Sequence, residues 1–206
     1  MFTKRKQVER VLESLILGLK SLSFIFPDEL PDKTFPDLKP ICRCNLLSKL
    51  RLYGRIENLV LENNPFPLNL TKLHLKYSQL EQDPMAILQN LPRLKILLLG
   101  TVSFSGKEMV CSTRGFPQLE LLTLLFLKEL KEWRVEEGAM PSLRHLQIRH
   151  CKKLRMVPEG LRFVTTLLKL KIKGMPKNFK QRLQVLDGRG GQDLYKVHHI
   201  PSIIFN

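Results

Sequence analysis

Asn90-Leu91-Pro92-Arg93-Leu94-Lys95-Ile96-Leu97-Leu98-Leu99-Gly100 is the stretch that decides the fold. Within it Leu94, Leu97 and Leu99 spell L-x-x-L-x-L. The same spelling recurs upstream at Leu19-Leu22-Phe24, Leu47-Leu50-Leu52 and Leu70-Leu73-Leu75. Downstream it recurs at Leu119-Leu122-Leu124, Leu143-Leu146-Ile148 and Leu167-Leu170-Ile172. From Leu22 to Leu170 the gaps between copies are 28, 23, 24, 25, 24 and 24 residues.

A period of 20 to 29 residues built on this core is the mark of a leucine-rich repeat. The expected architecture is an α/β-type solenoid arc of about seven repeats. Short parallel strands line its concave face, and an irregular or short-helical convex face closes it. Each unit contacts only its neighbours, so 206 residues make one elongated body rather than two globular ones. The expected division is a helical segment over 1–15, the solenoid over 16–175 and a capping tail over 176–206.

In the N-terminal segment Val8, Val11, Leu12 and Leu15 fall at helical spacing, which predicts a helix packed on the first repeat. Lys4, Arg5 and Lys6 give it a membrane-surface alternative. Pro27, Pro31, Pro36 and Pro40 lengthen the first gap and predict an irregular convex segment. At the other end Val197, Ile200, Ile203, Ile204 and Phe205 form an apolar tail. Exposed, such a tail invites aggregation, so it is expected to close the open end of the last repeat.

The chain is strongly basic, with 34 Lys and Arg against 19 Asp and Glu and a formal charge of +15. That balance favours acidic partners. Cys42, Cys44, Cys111 and Cys151 are too scattered for a disulfide framework, and Cys42-x-Cys44 lacks the second pair or histidine of a zinc site. No run approaches the ~20 apolar residues that span a bilayer. The sequon Asn69-Leu70-Thr71 places Leu70 on the buried register, and chance explains it. Reduced thiols and a cytoplasmic location are expected, with a peripheral seat at a membrane as the alternative.

Chemistry is sparse. At Gly106-Lys107-Glu108 the phosphate-loop pattern fails, because Thr101 and Glu108 stand where Gly and Ser or Thr are required. His198 and His199 have no carboxylate or thiol cluster beside them, and no serine-hydrolase or zinc-protease motif is present. Neither an enzyme nor a cofactor is expected.

Strand alternation sends the leucine register inward and the residues between to the concave face. That face reads Lys49, Arg51, Tyr53; Lys72, His74, Lys76; Ile96, Leu98, Gly100; Leu121, Thr123, Leu125; His145, Gln147, Arg149; Lys169, Lys171, Lys173. Two basic ends bracket an apolar centre made by Ile96, Leu98, Leu121 and Leu125, all four expected to face solvent. A lysine row alone is first of all a solvated face. Contiguous exposed aliphatics mark an interaction site, and the protein-binding surface is therefore expected here. Trp133 lies off the strands and is expected to pack on the convex side. The position three beyond the second strand leucine is Arg55, Ser78, Val102, Leu127, Cys151 and Met175, so the usual asparagine ladder is absent.

Between the repeats run Glu81-Gln-Asp-Pro-Met-Ala-Ile-Leu-Gln-Asn-Leu-Pro-Arg-Leu-Lys, Gly106-Lys-Glu-Met-Val-Cys and Gly115-Phe-Pro-Gln-Leu. They are followed by Glu132-Trp-Arg-Val-Glu-Glu-Gly-Ala-Met-Pro-Ser-Leu, His150-Cys-Lys-Lys-Leu and Tyr195-Lys-Val-His-His-Ile-Pro-Ser-Ile-Ile-Phe. Together these resemble the C-terminal leucine-rich region of plant coiled-coil, nucleotide-binding disease-resistance proteins, over nearly the whole chain. The resemblance implies a defence module that senses a pathogen effector or a guarded host protein, or restrains a nucleotide-binding switch domain. The family's coiled coil and nucleotide-binding domain have no counterpart in this sequence, so a receptor fragment, a mis-bounded gene product or a truncated paralogue is expected, without nucleotide switching. The contrasting expectation, from the charge, is a binder of nucleic acid or anionic surfaces. Only Tyr53 on the concave face could stack a base, which weighs against it.

Overall fold

The computed structural model describes residues 18–26, 34–35, 39–56, 66–186 and 188–206. The expected N-terminal helix and most of the proline-rich connection lie outside them. The strands in chain order are β1 Ser21–Ile25, β2 Lys49–Tyr53, β3 Lys72–Lys76, β4 Ile96–Gly100, β5 Glu108–Cys111 and β6 Leu121–Leu125. They continue with β7 Glu132–Val135, β8 His145–Arg149, β9 Lys169–Lys173, β10 Val185–Leu186, β11 Arg189–Gly190 and β12 Ser202–Phe205. Eight of them form one parallel sheet in the order β1-β2-β3-β4-β6-β8-β9-β12.

The sheet is parallel because each repeat returns the chain to the same edge one turn later. Register is strict: Leu50, Leu73 and Leu97 pair in line, as do Leu122, Leu146 and Leu170. From β2 to β9 the two leucine-register side chains of every strand have no exposed surface. Leu47, Leu70, Leu94, Leu119, Leu143 and Leu167, three residues earlier, are sealed with them. Shifting any strand by one residue would turn this column outward, so burial itself enforces the pairing. Leu91, Phe116, Met140 and Val164 complete the interior from the far side. The position usually held by asparagine is filled instead by packing, with Ser78, Leu127 and Cys151 fully enclosed.

On the convex side β5 and β7 form a second parallel pair, Met109 beside Trp133 and Cys111 beside Val135. The sequence alone predicts only irregular or short-helical structure there. Two features stabilise the pair. Asp83 accepts the backbone N–H groups of Met85 (2.9 Å) and Val110 (2.7 Å), tying the short helix Met85–Leu88 to the strand. Trp133 is buried and its indole N–H donates to Cys111 Sγ at 3.4 Å. Burial pushes the Cys111 thiol up to about 12, so it stays protonated and inert.

After β9 the chain makes the helix Lys177–Gln181, the β10–β11 hairpin and the 3-10 turn Leu194–Lys196 before returning as β12. There Ile203 pairs with Leu170 and Phe205 with Ile172. An ion network built on a nearly sealed Lys196–Asp193 pair holds this end. Lys196 Nζ lies 2.9 Å from Asp193 and 3.4 Å from Glu159, and Arg182 also bonds Asp193. Burial alone would raise Asp193, but hydrogen bonds from Arg182 and Lys196 outweigh it and hold the carboxyl below the usual carboxylate range. His198 and His199 contact the carbonyls of Tyr195 and Val164 and serve packing.

Candidate binding surface

The open face of the sheet is read along three rows that cross the strands. The first runs Lys49, Lys72, Ile96, Leu121, His145, Lys169. The middle one runs Arg51, His74, Leu98, Thr123, Gln147, Lys171, and Ile204 of β12 continues it. The third begins with Tyr53, Lys76 and Gly100, and its far part is Leu125, Arg149, Lys173. Every residue anticipated for the surface therefore lies on one face, in register with its neighbours.

Two details differ from the sequence reading. Ile96, Leu98, Leu121 and Leu125 are half-buried rather than fully exposed, and Thr123 is only 5% exposed. The cause is side-chain length: threonine between Leu98 and Gln147 in register sits below the tips of both. Leu98 also leans sideways, since a Cβ on Gly100 would meet its Cδ2 at 2.9 Å and the Lys76 stem at 3.0 Å. Glycine there leaves room for both side chains to lean in. The result is a shallow apolar floor rather than a row of projecting leucines.

The sheet's charge is one-sided. None of its eight strands carries an Asp or Glu. Among the described residues the ion pairs lie elsewhere, at Lys95–Glu120, Arg134 with Glu108 and Glu132, Lys153–Glu129, Arg162–Glu159 and the C-terminal network. Lys49, Arg51, Lys72 and Lys76 at one end, and Arg149, Lys169, Lys171 and Lys173 at the other, have no carboxylate neighbour among those pairs. The Arg149 Nε is buried with no hydrogen-bond partner among the described residues. His74 records the local field: burial, then Lys72, Arg51 and Lys76, push its imidazole down to about 4. It is neutral at pH 7.

Tyr53 is already engaged, with Lys76 Nζ 4.6 Å from its ring centroid. Other aromatics occupy a ledge at the strands' C-terminal ends, which sequence reasoning missed. Tyr77 is 42% exposed and Phe126 38%, and Phe126 stacks on His150 at 4.4 Å between centroids. All three have positive φ, between 54° and 56°, a turn conformation that strand alternation does not reveal. Among the described residues no group of three or more His, Cys, Asp or Glu could hold a metal, and no helix is long and apolar enough to cross a membrane.

Comparison with known proteins finds plant relatives. Probable disease resistance RPP8-like protein 2 of Arabidopsis thaliana is 40% identical over 207 residues, covering 96% of this chain and 22% of that protein. Disease resistance protein RPP8 of the same plant is 46% identical over 159 residues, 77% of this chain and 17% of its own length. Probable disease resistance protein RF45 is 45% identical over 145 residues, or 70% of this chain and 14% of that one. The chain thus spans about a fifth of the length of the curated relatives it matches. A chain of the mouse RP105/MD-1 complex superposes with a TM-score of 0.46 at 18% identity, covering 93% of this chain and 39% of that chain. No protein-family profile matches.

Proposed function

Because the chain belongs to the leucine-rich-repeat region of the plant disease-resistance family, we propose that it is a protein-recognition module of intracellular immunity. Its partner is a pathogen effector, a guarded host protein or a nucleotide-binding switch domain, and contact is made on the concave face. The single observation that carries this reading is the apolar floor of Ile96, Leu98, Leu121 and Leu125 set between two cationic ends. An aliphatic patch on an open sheet gains free energy when a partner removes it from water. The flanking cations steer and orient that partner more than they add affinity. Recognition needs no reactive group, so the module is non-catalytic, and its place is the cytoplasm.

The test is co-expression with the nucleotide-binding domain of a related full-length receptor, scored by co-purification. Association is expected, and Leu98→Glu with Leu121→Glu is expected to abolish it while the protein still unfolds cooperatively. Failure to associate argues against the restraining role. Association that survives the double substitution places the contact off the concave floor.

A further inference from the structure

The cationic ends are the least explained feature of the surface. Like charges in register repel, and an acid placed anywhere on the eight strands would have relieved them. None is present. The cations therefore stand ready for charge supplied from outside, at two places, with an uncharged floor between.

We propose that the segment recognised on the concave face is extended, acidic at both ends and apolar in the middle. This rests on the recognition reading above and specifies the partner's chemistry. Spacing sets its length. Neighbouring strands lie about 4.8 Å apart, so the five steps from β2 to β9 span about 24 Å, and the three steps from β3 to β8 about 14 Å. An extended chain advances about 3.3 Å per residue. The acidic anchors thus stand roughly four to seven residues apart, and the apolar stretch between them is about four residues long.

Nucleic acid fits less well. A phosphate at every nucleotide would lay charge along the apolar floor as well as on the ends, and the base-stacking candidate on the face, Tyr53, is capped by Lys76. A segment with charge only at its ends satisfies both parts of the surface.

The test measures fluorescence anisotropy with the full 206-residue chain at physiological salt. One labelled octapeptide has two aspartates, then Leu-Phe-Leu-Val, then two aspartates. A second has the same composition with the apolar residues at the ends and the aspartates central. A twelve-nucleotide oligo-dT is the third probe. The first peptide is expected to bind at least tenfold more tightly than the second. Lys49→Glu with Lys72→Glu, and separately Lys169→Glu with Lys171→Glu, should each weaken it at least tenfold. Lys152→Glu, off the sheet, should leave it unchanged.

Equal affinity for the two peptides overturns the proposal, as does tighter binding of oligo-dT. So does insensitivity to either charge reversal in a variant that unfolds cooperatively. If neither peptide binds while the switch domain still co-purifies and loses association in the Leu98/Leu121 variant, the acidic layout is wrong and the recognition reading stands. If that association is absent too, the acidic layout and the restraining role both fall.

Discussion

The imidazole of His150 lies flat on the ring of Phe126, their centroids 4.4 Å apart and their planes 5° from parallel. Both residues take φ of 54°, and their N–H groups bond the carbonyls of Lys173 and Arg149 on the next strands. The next step of this ledge is Gly174, also left-handed at φ 61°, over which the His150 ring closes. A Cβ at Gly174 would collide with His150 Nδ1. Gly174→Ala is therefore expected to destabilise by roughly 1–3 kcal/mol, from left-handed strain and loss of the stack. Chemical denaturation gives the value, and a change below about 0.5 kcal/mol would show that the ledge yields freely.

Register makes a sharper contrast between neighbours. Leu122 is sealed in the interior whereas Leu121, one residue earlier, lies half-exposed on the floor. Leu122→Ala should cost roughly 2–5 kcal/mol, the range for a buried leucine that leaves a cavity. Leu121→Ala should cost less than half of that. Equal losses in urea titrations would mean that the inward and outward faces of β6 are assigned wrongly.

Much of this was legible because period and alternation are properties of the sequence itself. Leu97 and Leu99 had to face the same way, and seven copies 23 to 28 residues apart had to stack. What escaped depended on neighbours in space. Thr123 sinks because Leu98 and Gln147 flank it, and neither is adjacent in sequence. The β5–β7 pair forms because repeats of similar length bring Met109 beside Trp133, two residues that no motif connects. Phe126 and His150 were hidden by their turn conformation. The absence of acid from the sheet was present in the letters all along, but only the strand boundaries make it a property of one surface.

His74 supplies a pH signature. With its imidazole held near 4 in the folded protein and near 6.5 when unfolded, the unfolded chain binds the extra proton between those values. Stability from this residue is thus complete above pH 6.5, falls as the pH drops through that window, and levels off below about 4. His74→Gln should flatten that part of the profile. The check is the difference between the two proteins' unfolding free energies at pH 7.5 and 5.0, and identical slopes would remove His74 as the cause.

Lys196 and Asp193 set the strength of the C-terminal closure. Both are nearly sealed, 2.9 Å apart, and Lys196 also reaches the Val157 carbonyl at 3.4 Å. Removing one member leaves the other's charge under-compensated in a site with little water, at a cost that approaches roughly 3–5 kcal/mol where no other partner remains. Lys196→Met leaves Asp193 with Arg182 alone, and Asp193→Leu leaves Lys196 with the exposed Glu159. Replacing both at once removes the stranded charge, so the double variant should recover most of the loss. Because the pair lies just before β12, the damage should appear first in that strand. Hydrogen exchange of the Ile203 to Phe205 amides should accelerate in each single variant while the Leu122 amide stays protected. Uniform acceleration throughout the solenoid would instead mean that the last turn and the centre unfold as one unit.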